Sequence, residues 1–198
     1  ALERSFHEVV GRHESLRTRF HSLNGVPVQV IGPARPFTIP LIDLQHLPEE
    51  RRAQAATRLA AVEAERPFDL RYGPLLRVSL IRLRSDEHLV LLTLHHIVSD
   101  AWSAHVLVQE LTALYAAAVE GRPAPLPDLP VQYADVAQWQ RAWLSGPILE
   151  RELGFWKTVL GGDLPVLNLP TDRPRPAVQT SHGAMVTATI QPGLSGDL

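Results

Sequence analysis

Two extended apolar runs joined by a short polar turn constrain the fold of this chain more than any other feature. They are LLRVSLIRL at 75–83 and HLVLLTLHHIV at 88–98, with RSDE between them. Such a pair of runs predicts an antiparallel hairpin. Both faces of the second run are largely apolar, which predicts a strand that is internal to a layered fold.

Helical patterns surround this hairpin, and the first of them has Leu2, Phe6, Val9 and Val10 at helical spacing. Further helices are expected at 47–64, 103–119, 131–144 and 148–161. Extended segments are expected at 24–31, 38–45 and 183–190, the first of them opening on an Asn-Gly turn signal. This interleaving predicts the α/β class, as an α+β sandwich in which a mixed sheet is flanked by helices.

Composition argues against several classes of protein. The chain has 198 residues, of which 45% are hydrophobic and 20% charged, and no apolar run is long enough to span a membrane. The net charge is −2 without a basic run, which argues against nucleic-acid binding. The lack of cysteine excludes disulfides and a cysteine nucleophile. We expect a cytoplasmic protein, and a start within a helical pattern leads us to expect a piece of a longer chain.

The second run ends in an unusual group, in which His95 and His96 are followed by Asp100. In a strand, neighbouring side chains face opposite sides, so the two imidazoles do not bind one metal ion together. Either both histidines are core residues with backbone partners, or one is a general base on a rigid support. Asp100 either orients an imidazole or is a buried carboxylate that requires a cation. Since no Gly-x-Ser-x-Gly sequence supplies a serine nucleophile, a histidine mechanism needs a nucleophile that the substrate brings.

Four segments resemble, in order and spacing, the motifs of the condensation domains of nonribosomal peptide synthetases. They are RHESLRTRF at 12–20, RPFDLRYGPLLRVSL at 66–80, HHIVSDAWS at 95–103 and YADVAQW at 133–139. The resemblance extends over essentially the whole chain. It implies a fold like chloramphenicol acetyltransferase, with two lobes in a V and a tunnel between them. Residues 1–198 are then expected to be the N-terminal lobe, truncated at both ends.

The resemblance also implies a reaction, the formation of a peptide bond. The amine of an aminoacyl thioester on a downstream carrier protein attacks the acyl thioester on an upstream one, and both arrive on phosphopantetheine arms. The implied site residues are His96 as the catalytic histidine, His95 as its support and Asp100, which is expected to pair with Arg17. No cofactor is expected to bind the chain directly. The implied partners are the two carrier domains, an adjacent adenylation domain and the C-terminal lobe of the same domain.

The resemblance further implies that Ala101, Trp102 and Ser103 line the tunnel. The family usually has glycine in place of Ala101, so the added methyl group is expected to narrow the tunnel on the donor side. We expect this small change to be tolerated. The Trp-Ser ending is similar to the subtype that joins an L donor to an L acceptor. The chain alone is expected to be inactive because half of the tunnel is missing. The alternatives are a coenzyme A-dependent acyltransferase of the same fold and a non-catalytic recruitment domain of the assembly line.

Overall fold

The fold is described by a computed structural model that covers residues 1–178, 180 and 184–190. The chain divides into two compact units, Ala1–Leu149 and Glu150–Leu198. The helices are α1 (Leu2–Arg12), α2 (Glu49–Glu65), α3 (Ala101–Val119), α4 (Tyr133–Trp143) and α5 (Gly146–Val159), with a 3₁₀ helix at Glu14–Arg17. The strands are β1 (Thr18–Leu23), β2 (Val26–Ile31), β3 (Leu41–Asp43), β4 (Leu76–Arg82) and β5 (His88–Leu94). Every helix predicted from the sequence is therefore present, with small shifts in its bounds.

β1 and β2 form an antiparallel hairpin around Asn24 and Gly25. Both turn residues have positive φ, 52° for Asn24 and 80° for Gly25. Positive φ at both central positions is the geometry of a type I′ turn, whose twist matches that of the paired strands. Leu23 consequently pairs with Val26 directly across the turn. The turn predicted from the sequence is confirmed.

β3, β4 and β5 form a mixed sheet. β3 runs parallel to β4, and β4 runs antiparallel to β5, which confirms the predicted hairpin. The expectation that β5 is internal is wrong for the part of the chain that the structure describes, because β4 is its one strand partner there. Leu89 and Val90 on β5 are accordingly 39% and 41% exposed. Apolar residues on both faces of a strand thus do not by themselves indicate a central position.

Helices cover both faces of this sheet. On one face α1 and α3 pack on β4, with a core of Phe6, Val9, Val10, Leu16, Leu76, Val78, Leu107 and Leu114. On the other face α2 packs through Ala56 against Leu44 and Ile81. Side chains alternate along β4, so Leu76 and Val78 enter the first core while Ile81 enters the second. The predicted mixed sheet flanked by helices is confirmed.

The unit Glu150–Leu198 contains most of α5. The strand expected at 183–190 is not formed over its described part, 184–190, and Gly183 lies outside the described residues. Met185 and Val186 are 89% and 92% exposed, so they lack the neighbours that bury one face of a strand. None of the helices in the described part of the chain has the length and apolar character that a membrane span requires.

Candidate active site

His95 and His96 lie in the turn between β5 and α3. The strand ends at Leu94 and the helix begins at Ala101, so the pair follows the strand. The sequence interpretation had placed both histidines within the strand. The two side chains still differ in environment, since His95 is partly buried and His96 is exposed. A paired strand on one side and a long helix on the other give the turn two rigid supports.

The ring of His95 is held by the backbone and by one aromatic contact. Its Nδ1 accepts a hydrogen bond from the N–H of Ile97 at 2.9 Å. The ring meets Phe68 edge to face, with centroids 5.6 Å apart. The backbone N–H of His95 donates to the carbonyl of Leu75 at 3.0 Å, next to the β4–β5 ladder. These contacts fix both the ring and the path of the turn.

His96 opens into a cleft of about 300 Å³ at the start of α3. The polar residues that line this cleft with it are Ser15, Ser99, Asp100, Ser103 and Tyr133. We refer to it as the His96 cleft. An exposed imidazole surrounded by hydroxyl groups is able to exchange a proton with a bound substrate, because its ring nitrogens both accept and donate protons.

Asp100 is the N-cap of α3. Its Oδ1 accepts hydrogen bonds from the backbone N–H of Ser103 at 2.7 Å and from the Oγ of Ser103 at 2.6 Å. A carboxylate at this position satisfies a free N–H of the first turn and lies at the positive end of the helix dipole. The hydroxyl of Ser103, then its N–H, and more weakly the charge of His96 lower the pKa of Asp100. The carboxylate therefore fixes the start of α3 beside His96.

The expected ion pair between Asp100 and Arg17 is wrong. Arg17 Nη1 donates to the carbonyl of Gly32 at 2.7 Å, and Nη2 lies 3.4 Å from the carboxylate of Glu14. Asp100 is exposed and accepts from Ser103, so its charge is stabilised without a cation. Arg17 instead ties the 3₁₀ helix to the residue that follows β2.

The three residues expected to line a tunnel form the first turn of α3. All three are exposed, Trp102 to 78%. Ser103 lines the His96 cleft, whereas Ala101 and Trp102 do not. Ala101 occupies the first helical position, where alanine favours the helix more than glycine does.

Two residues of the cleft wall, Ser15 and Tyr133, were not predicted from the sequence. Gln132 holds their backbones together, since its side chain accepts from the N–H of Glu14 at 3.1 Å and donates to the carbonyl of Arg12 at 2.9 Å. We call this arrangement the Gln132 clamp. The sequence that begins at Tyr133 predicts a helix, but it does not show that the start of this helix lies against the 3₁₀ helix.

A buried ionic cluster lies behind the clamp. Glu110 on α3 accepts from Arg12 Nε at 3.1 Å and lies 2.7 Å from His13 Nε2. The Glu110 side chain is only 12% exposed, so both contacts are shielded from water. The cluster joins the end of α1 to the middle of α3 and thereby fixes the frame of the cleft.

A comparison with protein families tests the relationship that the motifs indicated. The family model described as "Condensation domain" matches residues 1–197. The chain belongs to the condensation domain family. The resemblance stated from the sequence motifs is therefore confirmed, and the geometry described above is that of a condensation domain.

Two relatives of this condensation domain illustrate its similarity to peptide synthetases. It is 47% identical to a linear gramicidin synthase from Brevibacillus parabrevis, over 100% of this chain and 3% of that protein. It is 50% identical to phosphinothricin tripeptide synthetase PhsC from Streptomyces viridochromogenes, over 87% of this chain and 16% of that protein. The chain thus spans a small part of the length of the curated relatives that it matches.

Solved structures resemble the condensation domain as well. The X-domain from teicoplanin biosynthesis superposes with a TM-score of 0.76 at 32% identity, over 89% of this chain and 39% of that one. The protein SgcC5 from Streptomyces globisporus superposes with a TM-score of 0.70 at 33% identity, over 88% of this chain and 39% of that one. The shared fold accords with the mixed sheet flanked by helices described above.

Proposed function

We propose that this condensation domain joins two substrates that partner carrier domains hold as thioesters, and that residues 1–198 form its N-terminal lobe. Family membership supports amide bond formation as the general reaction. The observation that carries the proposal is the exposed imidazole of His96 in a cleft next to the capped start of α3. His95, with its ring held by Ile97 and Phe68, supports the turn.

In the proposed step the amine of the acceptor attacks the carbonyl carbon of the donor thioester. A C–N bond forms and the C–S bond breaks. His96 accepts the proton that the attacking nitrogen loses and then donates it to the departing thiolate, so that protons and charge balance over the reaction. A positioned imidazole suits this transfer because its ring nitrogen both accepts and donates a proton. Asp100 keeps the helix start in place and relays no proton.

The proposal includes the partners of the domain. Both substrates arrive on phosphopantetheine arms, one on an upstream and one on a downstream carrier domain, and an adjacent adenylation domain supplies the acceptor. Trp102 and Ser103 support an L-donor and L-acceptor subtype. The C-terminal lobe completes the tunnel, so we expect no turnover by residues 1–198 alone. No cofactor is proposed to bind this lobe directly.

The test is dipeptide formation by the intact synthetase with carrier-bound donor and acceptor. His96→Ala is expected to slow the reaction by about 10²–10⁴-fold, the usual contribution of a general base. His105→Ala is the matched control, because His105 is an exposed histidine of α3 that does not line the His96 cleft. Unimpaired dipeptide formation by His96→Ala would contradict the proposal and favour a recruitment domain or a site that only positions the substrates. Turnover with acyl-coenzyme A but not with carrier-bound donor would favour a coenzyme A-dependent enzyme.

A further inference from the structure

A second, larger groove lies between the β1–β2 hairpin and the first residues of β4. Its volume is about 730 Å³, which falls in the range of small-molecule sites. It shares no lining residue with the His96 cleft. The charged residues that line it are Arg17, Arg19, Arg35, Arg66, Arg77 and Glu63. We call it the arginine groove.

The charge of the arginine groove is opposite to that of the whole chain. Five arginines and one acidic residue line it, an excess of four positive charges. The chain as a whole carries a net charge of −2. The groove is therefore a positively charged concave surface on a chain that is negative overall, which favours the approach of an anion.

The arginines of the groove differ in how far their guanidinium groups are already bound. Arg77 binds the carboxylate of Glu63 and three backbone carbonyls, and Arg17 binds the carbonyl of Gly32. Arg19 and Arg35, in contrast, form no ion pair with any residue that the structure describes. These two side chains are available to a ligand.

Arg19 is the stronger of the two indications. It is partly buried and has no anionic partner among the described residues. A cation without a counter-charge in a groove favours an anionic ligand. Side chains alternate along β1, so His21 lies on the same face of the hairpin as Arg19 and lines the groove too.

Apolar residues form the rest of the wall. Val30, which pairs with Arg19 across the hairpin, lines the groove together with Phe37. Pro33 and Pro36 lie in the segment that connects them, and their fixed backbone angles stiffen this wall. The groove thus presents cations beside an apolar surface, and a fitting ligand has an anionic end and an apolar body.

We propose that the arginine groove binds a small organic phosphate, in which Arg19 and Arg35 bind the phosphate and the organic part lies on Val30 and Phe37. The planar guanidinium group forms two parallel hydrogen bonds to phosphate oxygens. Two guanidinium groups without an ion pair among the described residues, Arg19 and Arg35, suit a doubly charged phosphate better than a singly charged carboxylate. This site is separate from the proposed condensation chemistry at His96.

The test is calorimetric titration of the full chain with phenyl phosphate. Saturable binding at one site is expected, with weaker binding of inorganic phosphate, which lacks the apolar part, and of benzoate, which carries one charge. Arg19→Ala and Arg35→Ala are each expected to raise the Kd at least about tenfold, as the loss of a charge-assisted hydrogen bond does. Arg35 is exposed on a loop, so its variant tests the site even where Arg19→Ala fails to fold.

Arg58→Ala is the matched control, because Arg58 is exposed on α2 and does not line the groove. Its Kd is expected to remain within about twofold of the original. The proposal is overturned by a lack of saturable binding, by an equal loss in Arg58→Ala, or by benzoate binding as tightly as phenyl phosphate. His96→Ala is expected to leave phenyl phosphate binding unchanged, so this result is independent of the proposed catalytic role.

Discussion

Arg17 gives the sharpest test of the geometry around the cleft. The family resemblance led us to expect a pair with Asp100, whereas the structure places Arg17 on the carbonyl of Gly32 and near Glu14. The two arrangements predict different coupling free energies between Arg17 and Asp100 when both are mutated. Arg17→Ala should destabilise the protein through the loss of the Gly32 contact, without any dependence on Asp100.

The expected loss can be worked out contact by contact. The bond from Arg17 Nη1 to Gly32 is charge-assisted and short, and losing such a bond costs about 1.5–3 kcal/mol. The partly exposed pair with Glu14 adds about 0.3–0.5 kcal/mol. Against these, Arg17 Nε is buried without a hydrogen-bond partner, and its removal relieves about 1 kcal/mol. Arg17→Ala should therefore lower the free energy of unfolding by about 1–2.5 kcal/mol.

The assay is urea unfolding followed by circular dichroism, in two double-mutant cycles. Arg17→Ala with Glu14→Gln should show a coupling of about 0.3–0.5 kcal/mol. Arg17→Ala with Asp100→Asn should be additive, because the two sites share no partner. A coupling between Arg17 and Asp100 beyond experimental error would refute the reasoning, and so would wild-type stability of Arg17→Ala.

Four further predictions concern the cleft and the core. Gln132→Ala should raise the KM for the carrier-bound acceptor more than it lowers kcat in steady-state kinetics, because it loosens a cleft wall and leaves His96 in place; an effect on kcat alone would contradict this. Ala101→Gly should lower helix stability by up to about 1 kcal/mol in urea unfolding, with no gain in kcat/KM; a gain for bulky donors would show that the methyl group narrows the tunnel. Folding lowers the pKa of Asp100, so the ionised carboxylate contributes its full stability above the ordinary aspartate pKa near 4, and this stability is lost as the pH falls below that value. Asp100→Asn should therefore flatten the acid side of the curve of Tm against pH, and an unchanged curve would refute the role of Asp100 as the N-cap of α3. Phe6→Ala should cost about 3–5 kcal/mol in the same unfolding assay, since Phe6 is 1% exposed and stacked on Phe37; a loss under about 1 kcal/mol would contradict its place in the core.

The parts of the fold that sequence predicts well depend on neighbours in the chain. Asn24 and Gly25 adopt positive φ, so their preference determines the hairpin turn without help from the rest of the protein. The pairing of β4 with β5 likewise needs only a short polar turn between two apolar runs. The apolar spacing of α1 places Phe6 and Val9 in the core because a helix of regular period has only one such face.

The parts that sequence missed depend on a choice between partners. Asp100 had two ways to stabilise its charge, a distant arginine or the first turn of its own helix. Ser103 is three residues away and supplies both a hydroxyl and an N–H, so the local cap forms at a small cost in chain entropy. The edge position of β5 was missed for a related reason. Apolar residues on both faces of a strand indicate that both faces are covered, but they do not show whether a second strand pairs along its free edge.

The His96 cleft combines both kinds of determinant. The backbone that carries His96 is held by the β4–β5 hairpin, through the bond from the N–H of His95 to the carbonyl of Leu75, and by the Asp100 cap. The opposite wall is fixed by the Gln132 clamp, whose bond to the N–H of Glu14 joins residues 118 positions apart. A short motif can therefore identify the proposed catalytic histidine, while the shape of the His96 cleft depends on how α4 returns to the 3₁₀ helix. Substrate selectivity in this lobe should accordingly be sought in the wall that Ser15 and Tyr133 form, rather than in the histidine motif itself.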